Sequence, residues 1–397
     1  MRTKQQVIVV GAGPVGFLTA LGLARAGAAV RIIEAEAAIN ASPRAAVYLA
    51  VTLEFLDKLG IFQDAFDVGL LSDALRMHVR ETGECVELRA SVLKDDTPFP
   101  FQLHFGQDVL AGIVHRRLLE LPDTAVDFNT RLTAIAQDER GVSASVETPR
   151  GRETLRCDWL VGADGGHSGV RKALGLPFEG HTWPERFVAT NIWYEEFPEH
   201  GIGYANFLTD PVRWAVIAAI SRDNLWRVTY NEDGSISDEE ALKRVPQRLA
   251  EILPGSKRYE LAAASPYRVH ERASPRFRVG RVLLAGDAAH VCNPCGGMGL
   301  TTGVMDASAM IDALGAVIND RMDESVLDFY AADRLRVFRE FSSPSATEYK
   351  RILGESDPER RRRDLEQFKA VAANPEIMRK TMLAAFTVRG NPMPIPL

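Results

Sequence analysis

The chain is poor in cysteine and carries no excess of basic charge. Its 397 residues include four cysteines, which are too few for a disulfide framework in a chain of this length. The formal net charge of −6 offers no electrostatic basis for binding nucleic acid. The composition therefore predicts a protein of a reducing, cytoplasmic compartment without a nucleic-acid partner.

Long apolar runs are also missing, because no uninterrupted stretch reaches the roughly 18 residues that a membrane span requires. The N-terminal stretch VIVVGAGPVGFLTALGLARAGAAV imitates a signal peptide, but glycines and a proline interrupt it at positions 11–16. Its apolar period also changes from strand-like to helix-like. We therefore expect no membrane segment, and we interpret this stretch as part of a folded domain.

The first folded unit is predicted to be a strand, a helix and a second strand. Residues 6–10 form a short apolar run, residues 14–26 have helical spacing, and residues 29–36 form another strand. The turn at 11–16 reads GAGPVG, a GxGxxG motif, and Glu34 lies at the end of the second strand. The motif in this context predicts a dinucleotide-binding site.

Each glycine of the turn has a separate task in such a site. Gly11 permits the tight turn, Gly13 lets the backbone approach a pyrophosphate, and Gly16 lets the helix pack closely. Amides of the helix N-terminus face the phosphates, and Glu34 accepts hydrogen bonds from an adenosine ribose. The predicted contacts are Gly11, Gly13, Pro14, Val15, Gly16 and Glu34. These residues do not distinguish NAD from FAD.

Two further patterns follow along the chain. Within 186–230, runs rich in β-branched and aromatic residues are separated by turn residues, which predicts a mostly antiparallel sheet. From residue 304 onward the chain is predicted to be largely helical, with a helix start at Ser356-Asp357-Pro358.

Glycine is concentrated in the stretch RVLLAGDAAHVCNPCGGMGLTTG, residues 281–303. Its first residues predict a buried strand that ends at Asp287, which we expect to be buried as well. A similar short strand at 157–161 ends in Gly-Ala-Asp. Glycine-rich backbone costs conformational entropy and persists where a ligand or another backbone comes close. The stretch therefore predicts a ligand contact.

Three segments occur in order: GAGPVG at 11–16, CDWLVGADGGHSGVRKALG at 157–175, and AGDAAHVCNPCGGMGLTTG at 285–303. Over roughly residues 5–340 the chain resembles the single-component flavoprotein aromatic hydroxylases, the group that includes para-hydroxybenzoate hydroxylase. The combination is specific, because the second and third motifs have no role in a domain that binds NAD alone. The resemblance implies FAD as the cofactor.

The resemblance also implies further FAD contacts. Asp164 and Gly165, with Ser168 and Arg171 following, match the segment that serves FAD and the pyridine nucleotide, and Asp287 matches the aspartate that binds the ribityl chain. The positions that match the loop and helix start along the isoalloxazine ring are Pro294, Gly296, Gly299, Leu300 and Thr301. Arg44 and Arg116 match arginines that reach FAD. Thr301 departs from the family, in which asparagine is common at this position. A backbone contact would survive that change.

The implied activity is that of an external monooxygenase acting on an activated phenolic or hydroxylated heteroaromatic ring. NADPH or NADH would reduce FAD, O2 would then give a flavin hydroperoxide, and its distal oxygen would pass to the ring. The expected partners are a small aromatic substrate, O2 and NAD(P)H, and a homodimer is compatible with the family. No metal is expected, and no catalytic base is assigned.

The implied fold is α/β, with a Rossmann-like FAD-binding domain, an inserted, mostly antiparallel β-sheet substrate domain and a helical C-terminus. The expected boundaries are 1–72, 101–180 and 268–345 for the FAD-binding domain, 73–100 and 181–267 for the substrate domain, and 346–397 for the C-terminal helical segment.

The substrate pocket is compared with that of para-hydroxybenzoate hydroxylase. The candidate pocket residues are Tyr48, Tyr204, Ile220 and Pro294. Ile220 stands where that enzyme has the arginine that grips the substrate carboxylate, so a neutral phenol, quinol-like or hydroxylated heteroaromatic substrate is expected. Arg213 and Arg227 could supply a cation if the register differs.

Two other functions stay open at this point. A flavin-dependent halogenase would carry a Trp-x-Trp-x-Ile-Pro segment, in which none of the five tryptophans lies. A non-oxygenating FAD-dependent reductase is the other alternative. Cys292 and Cys295 form a CxxC pair inside the predicted flavin loop, where neither a redox pair nor a metal site is favoured. His290 is expected to be structural.

Overall fold

The computed structural model describes residues 4–41, 45–255 and 258–395. The strands are Gln6–Val10 (β1), Ala29–Ile33 (β2), Val47–Tyr48 (β3), Leu70–Ser72 (β4), Ala74–Val79 (β5), Glu84–Arg89 (β6), Gln102–His104 (β7), Thr124–Asp127 (β8), Arg131–Asp138 (β9), Gly141–Thr148 (β10), Gly151–Cys157 (β11), Trp159–Gly162 (β12), Glu179–Trp193 (β13), Ala205–Thr209 (β14), Ala215–Ala219 (β15), Leu225–Glu232 (β16), Glu260–Ala273 (β17), Arg278–Val279 (β18), Val282–Leu284 (β19) and His290–Val291 (β20). The α-helices are Pro14–Arg25 (α1), Ala50–Lys58 (α2), Phe62–Val68 (α3), Gln107–Leu119 (α4), Gly169–Ala173 (α5), Asp238–Lys243 (α6), Val245–Ile252 (α7), Met298–Ile318 (α8), Ser325–Val337 (α9), Ser343–Leu353 (α10), Pro358–Ala373 (α11) and Pro375–Leu383 (α12).

A six-stranded sheet forms the centre of the first domain, in the order β18-β19-β12-β1-β2-β8. β1 pairs in parallel with β2 and β12, and β12 pairs in parallel with β19. Four of the five residues of β1 are buried, as expected for a parallel strand whose faces are both covered. Helices α1 and α8 pack so closely that a Cβ at Gly22 would collide with Ile311. The predicted Rossmann-like domain is confirmed.

An eight-stranded sheet forms the second domain, in the order β20-β17-β13-β16-β15-β14-β5-β6. Its neighbouring strands are antiparallel except for β14 and β5, so the mostly antiparallel sheet is confirmed. One face carries Val188, Trp226, Val228 and Tyr230, which share a buried cluster with Leu249 of α7. This outer face is closed by helices. Buried residues of the opposite, inner face pack in one cluster with Cys295 and with Leu353 and Leu365 of the C-terminal helices.

Six further strands form two smaller sheets, in the orders β3-β7-β4 and β11-β10-β9. His104 of β7 is fully buried, and burial lowers its pKa to about 4, so the ring is neutral. Its Nδ1 lies 3.0 Å from the carbonyl oxygen of Ala219 in β15, which ties the β3-β7-β4 sheet to the second domain. β17 continues to Ala273, so the eight-stranded sheet extends beyond the predicted boundary at 267.

The chain from α8 onward is largely helical, as predicted. The segment Cys295–Ile318 is apolar and long enough to cross a bilayer, but 78% of its most apolar window is buried inside the protein. It is the central core helix. Asp357 caps α11 by accepting a hydrogen bond from the Glu359 N–H at 2.8 Å, which confirms the predicted helix start.

Candidate active site

Three parallel strands end side by side at one edge of the six-stranded sheet. The carboxyl ends of β1, β12 and β19 are neighbours there. The Ala163 N–H donates to the carbonyl oxygen of Val10 at 2.8 Å, and the Ala285 N–H donates to that of Gly162 at 3.0 Å. Ligands of open α/β sheets bind outside the carboxyl ends of the strands. The three glycine-rich motifs therefore converge on one site.

The glycines of these motifs fall into two groups, according to what a Cβ atom would meet. At Gly11 and Gly16, a Cβ would lie 2.4 Å and 2.0 Å from backbone carbonyl oxygens, so the packing of the protein itself requires these glycines. At Gly13, Gly165 and Gly297, a Cβ would meet no atom of the described residues within 4 Å. Each of the three motifs thus has open space beside it, which is what an extended dinucleotide such as FAD requires.

Glu34 lies at the end of β2, beside the glycine turn. Its Oε2 accepts a hydrogen bond from the Ala12 N–H at 2.7 Å, and its Oε1 accepts one from the Glu36 N–H at 2.9 Å. Pro14 occupies the first turn of α1, where a missing N–H costs nothing. The carboxylate is therefore fixed next to the glycine turn, and its contact with an adenosine ribose stays a prediction.

Both carboxylate oxygens of Asp164 accept hydrogen bonds from the protein itself. Its Oδ1 accepts a hydrogen bond from the Ser168 hydroxyl at 2.5 Å, and its Oδ2 accepts two from backbone N–H groups at the start of α5. Arg171 donates to two backbone carbonyls at 2.8 Å and holds the same turn. These bonds fix the backbone around Gly165. The predicted contact between Asp164 and the cofactors stays a prediction.

The start of α8 presents backbone N–H groups to the open space beside Gly297. Gly297 is the N-cap, with φ 69°, and it contributes no side chain to the helix end. The Thr301 hydroxyl donates back to the Gly297 carbonyl at 2.9 Å. The first-turn amides of Gly299 and Leu300 lie at the positive end of a 21-residue helix, where an electron-rich carbonyl is stabilised.

Packing fixes the rest of this loop. A Cβ at Gly286 would come within 2.9 Å of Val15, and a Cβ at Gly296 would come within 2.4 Å of Tyr349. Val15 and Gly296 therefore place the backbone through contacts inside the protein. Pro294 is exposed beside them.

Asp287 is exposed, which corrects the expectation that it is buried. The fully buried carboxylate at this strand end is Asp306 of α8. Its Oδ2 accepts hydrogen bonds from the Gly286 N–H at 2.9 Å and from His290 Nε2 at 2.7 Å. Its Oδ1 accepts one from Arg334 Nε at 2.7 Å. Burial favours a raised pKa for Asp306, but His290 and Arg334 outweigh burial and lower it.

Sequence reasoning missed Asp306 and Arg334, although one signal was present. An aspartate in the middle of the apolar helix run LTTGVMDASAM must find buried partners, since an unpaired buried charge is very costly. The His290 ring lies between Phe277 and Phe338, at centroid distances of 5.8 Å and 4.5 Å. His290 therefore has a structural position behind the loop that carries Asp287.

The substitution Asp287→Ala is expected to weaken FAD retention. The exposed carboxylate follows the strand end directly, and the predicted hydrogen bond from the ribityl chain would be worth on the order of 1.5–3 kcal/mol. FAD content after gel filtration at micromolar protein measures the effect. Asp223→Ala, in an exposed turn of the second domain, is the control and should retain FAD. Full occupancy in Asp287→Ala would contradict the assignment.

The inner face of the eight-stranded sheet is lined by small side chains around a single cross-strand row. Arg227 of β16 lies opposite Asn191 of β13 and opposite Ala218 of β15, and Asn191 lies opposite Ala263 of β17. Directly opposite residues of antiparallel strands project from the same face. Arg227 is therefore the long, charged side chain of this row, beside three small or short neighbours.

Tyr48 and Arg227 are close enough to influence each other electrostatically. Tyr48 is fully buried and stacks on Phe105 at 4.2 Å, and its hydroxyl has no hydrogen-bond partner among the described residues. Burial raises its pKa, and the charge of Arg227 opposes that shift. Ile220 is buried and directly follows β15. The expectation of a neutral substrate, which rested on Ile220, stays a prediction. Arg227, the cation that it left in reserve, does lie on this face.

Tyr204 lies elsewhere. Its ring is 41% exposed and 6.2 Å from Trp226, whose side chain belongs to the outer face of the sheet. Both rings line a separate cavity of about 340 Å³ together with Phe66 and Leu71. The structure therefore does not bring Tyr204 together with Tyr48, and its predicted substrate contact gains no support.

The remaining predicted residues contribute little to the observed geometry. Arg116 is exposed on α4, and Arg44 lies outside the described residues. Burial raises the pKa of both the Cys292 and the Cys295 thiol, which favours the protonated form of each. Among the described residues, no group of three or more His, Cys, Asp or Glu side chains is arranged to hold a metal ion.

A glycine-rich cradle at the carboxyl edge of a parallel sheet, beside an antiparallel sheet, is the arrangement expected of a flavoprotein hydroxylase. A family model described as FAD binding domain matches residues 4–343, and the chain belongs to this family. Its residues fit FAD, because the open space beside Gly13, Gly165 and Gly297 follows the three motifs.

The chain is similar to several monooxygenases. It is 43% identical over 396 residues to para-nitrophenol 4-monooxygenase of Pseudomonas sp. (strain WBC-3), covering 98% of both chains. It is 42% identical over 359 residues to 6-hydroxy-3-succinoylpyridine 3-monooxygenase of Pseudomonas putida (strain DSM 28022 / S16), covering 90% of this chain and 91% of the relative. The crystal structure of p-nitrophenol 4-monooxygenase from Pseudomonas putida DLL-E4 has a TM-score of 0.95 and 40% identity, and the match covers 99% of this chain and 100% of that one.

The chain is accordingly a FAD-dependent aromatic monooxygenase. The sequence had left two alternatives open, a halogenase and a non-oxygenating reductase. Both relatives are monooxygenases by name, so neither alternative is favoured. The predicted family, fold class and cofactor FAD are confirmed.

Proposed function

We propose that this enzyme uses NAD(P)H and O2 to oxygenate the ring carbon para to the hydroxyl group of a substituted phenol or hydroxypyridine, at a carbon that already carries the substituent. The observation that supports this position comes from the names of the two relatives. Position 4 of para-nitrophenol bears the nitro group. Position 3 of 6-hydroxy-3-succinoylpyridine bears the succinoyl group and is para to the hydroxyl.

The chemistry of the ring favours the same carbon. A hydroxyl group enriches the position para to it, most strongly once its proton has been removed, and an electrophilic oxygen is transferred there. With 4-nitrophenol, a C–O bond forms at C4 and the C–N bond breaks. One molecule each of NAD(P)H, O2 and 4-nitrophenol, with one proton, then gives 1,4-benzoquinone, nitrous acid, water and NAD(P)+. FAD, when bound, supplies the activation of O2.

The residues of the chain position the reactants and keep water out. Gly13 and the first turn of α1 would hold the pyrophosphate, Glu34 the ribose, and the α8 N-terminus the flavin ring. The inner sheet face contributes buried Phe187 and Phe207, which pack in one cluster with Cys295 of the flavin loop. A dry pocket matters because water would divert the activated oxygen to hydrogen peroxide.

The test is turnover of 4-nitrophenol by the FAD-loaded enzyme with NADH or NADPH. We expect release of nitrite in proportion to NAD(P)H oxidised, with little hydrogen peroxide. The matched control substrate is 3-nitrophenol, whose nitro group is not para to the hydroxyl and should not be released. Formation of nitrocatechol without nitrite would contradict the proposed position, and the absence of any substrate-stimulated O2 uptake would contradict the substrate class.

The same assay would determine the preferred nicotinamide cofactor. A cytoplasmic location and a homodimer remain predictions, and sedimentation of the purified protein would check the second of them.

A further inference from the structure

The cavity of about 340 Å³ that contains Tyr204 lies on the outer face of the eight-stranded sheet. Trp226 of β16 and Ala219 of β15 lie directly opposite each other, belong to the buried cluster of that face, and line the cavity. The Ala219 N–H donates to the Tyr204 carbonyl oxygen at 2.9 Å, so Tyr204 continues the row. Because successive residues of a strand alternate, Ala218 and Arg227 project from the opposite face. The sheet therefore separates this cavity from the inner face.

The lining of the cavity is completed by α3, by β4 and by the turn between β15 and β16. Phe66 of α3 and Leu71 of β4 contribute apolar side chains. Arg222 Nη2 donates to the carbonyl oxygen of Gly69 at 3.0 Å, which holds the turn against the end of α3. Phe66, Leu71 and Tyr204 stay 37%, 44% and 41% exposed around the opening. Exposed apolar side chains that cluster in this way mark a binding surface.

The charge of the cavity is positive, because Arg222 is the one charged residue of its lining. Asp223 and Glu199 are close in sequence to lining residues, but neither of them lines the cavity. The guanidinium uses one N–H for Gly69, and a guanidinium has five N–H donors in total, so donors remain for an oxyanion. The volume falls within the range of roughly 300–1,000 Å³ that is usual for small-molecule pockets.

We propose that this outer cavity is an accessory site for a small aromatic anion, whose ring contacts Tyr204 and Phe66 and whose oxygen binds the Arg222 guanidinium. Aromatic side chains favour a flat ring, and a guanidinium favours an anionic oxygen. Phenolates and aromatic carboxylates share this chemistry. The ligand class follows from the lining of the cavity, so the inference goes beyond the proposed function and does not rest on the reaction.

The test counts bound ligand by equilibrium dialysis of the oxidised, FAD-loaded enzyme without NAD(P)H, so that turnover is not needed. The probe is 4-nitrophenol at a mildly alkaline pH, at which it is ionised. The wild type should bind two molecules per FAD. In Arg222→Gln, the dissociation constant of one of them should rise about 10- to 100-fold, as expected for the loss of hydrogen bonds from a charged group. Tyr204→Ala should weaken the same molecule, and both variants should keep their FAD content and melting temperature.

Two further ligands identify the group that Arg222 recognises. 4-Nitroanisole is neutral, so its binding should be the same in the wild type and in Arg222→Gln. Benzoate carries a carboxylate in place of the phenolate. If benzoate depends on Arg222 as 4-nitrophenolate does, the cavity accepts aromatic anions in general, whereas dependence of 4-nitrophenolate alone restricts it to phenolates.

The matched control is Arg213→Gln, which removes the same charge from a side chain that is 52% exposed and lies 3.7 Å from Glu251. Arg213 does not line the cavity, so both binding events should persist in this variant.

The proposal would be overturned if every bound molecule survived both Arg222→Gln and Tyr204→Ala. It would also fail if sedimentation showed a dimer that Tyr204→Ala dissociates, because a second copy of the chain would then cover the exposed aromatic side chains. A failure of the proposed function is distinguishable. In that case the wild type would bind one molecule and release no nitrite, while the binding of that molecule would still depend on Arg222.

Discussion

Gly13→Val is expected to abolish FAD binding while the apoprotein remains folded. Gly13 has φ −80° and ψ 176°, an extended conformation that valine adopts readily, and a Cβ there meets no atom of the described residues within 4 Å. The side chain would fill only the space that the pyrophosphate needs. We expect FAD affinity to fall by at least about 100-fold, which corresponds to roughly 2.7 kcal/mol or more.

Fluorescence titration of the apoprotein with FAD measures this loss, and thermal unfolding without FAD shows whether the fold is intact. The matched control is Gly112→Val in α4, where the nearest atom to a new Cβ is the flexible end of Arg116 at 3.8 Å. That variant should bind FAD normally. Normal FAD binding by Gly13→Val would place the phosphates elsewhere, whereas Gly11→Val and Gly16→Val should fail to fold, because their Cβ atoms would strike the backbone.

Asp306→Asn is expected to cost about 3–5 kcal/mol in the free energy of unfolding, the effect typical of removing one partner from a buried ion pair. Asp306 and Arg334 are both fully buried, and the substitution leaves the guanidinium without its counter-charge. The Gly286 N–H would also lose a charged acceptor. Denaturant unfolding of the apoprotein measures the effect independently of the cofactor.

A second aspartate of α8 provides the control for Asp306→Asn. Asp312 of α8 pairs with Lys58 at 2.8 Å on the surface, so Asp312→Asn should change stability by no more than about 1 kcal/mol. An equal loss of unfolding free energy in the two variants would show that the buried ion pair stabilises the protein no more than the surface pair does.

At low pH, Asp306 should no longer stabilise the folded protein. The partners of Asp306 lower its pKa in the folded state, so its contribution is present above its unfolded pKa of about 4 and is lost as the pH falls through the lower folded value. The difference in unfolding free energy between the wild type and Asp306→Asn should therefore shrink below about pH 4. A difference independent of pH would contradict this assignment.

The strand–helix–strand unit around the glycine turn was predictable because its signals are local. Apolar runs, the GxGxxG spacing and Glu34 all lie within one short βαβ unit, and β1 and α1 have nearly the predicted bounds. The antiparallel sheet was likewise evident from runs rich in β-branched and aromatic residues that turn residues separate. Its extension to Ala273 was not, because pairing with β13 and β20 decides where β17 ends.

The polar interior of the site was not predictable for a different reason. Asp306 meets Arg334, 28 residues further along the chain, through helix packing that no local pattern specifies. The side of the sheet on which Arg227 lies depends on strand register, and a slip of one residue would turn it to the outer face. For the same reason Tyr204, assigned from sequence without a register, lies beside Trp226 on the outer side of the sheet.

The Arg334 guanidinium has a second contact, through Nη1 to the carbonyl oxygen of Val388 at 2.8 Å, and Asp333 beside it accepts hydrogen bonds from Asn391. The glycine turn at residue 11 leaves the ribosome early, whereas the support behind Gly286 is complete only after residue 388 has been translated. A nascent chain therefore presents half of a cofactor site for most of its synthesis. Capture of FAD should follow translation of this segment, so that a tag or a truncation near residue 388 would act on flavin loading although it lies far from the flavin in the sequence.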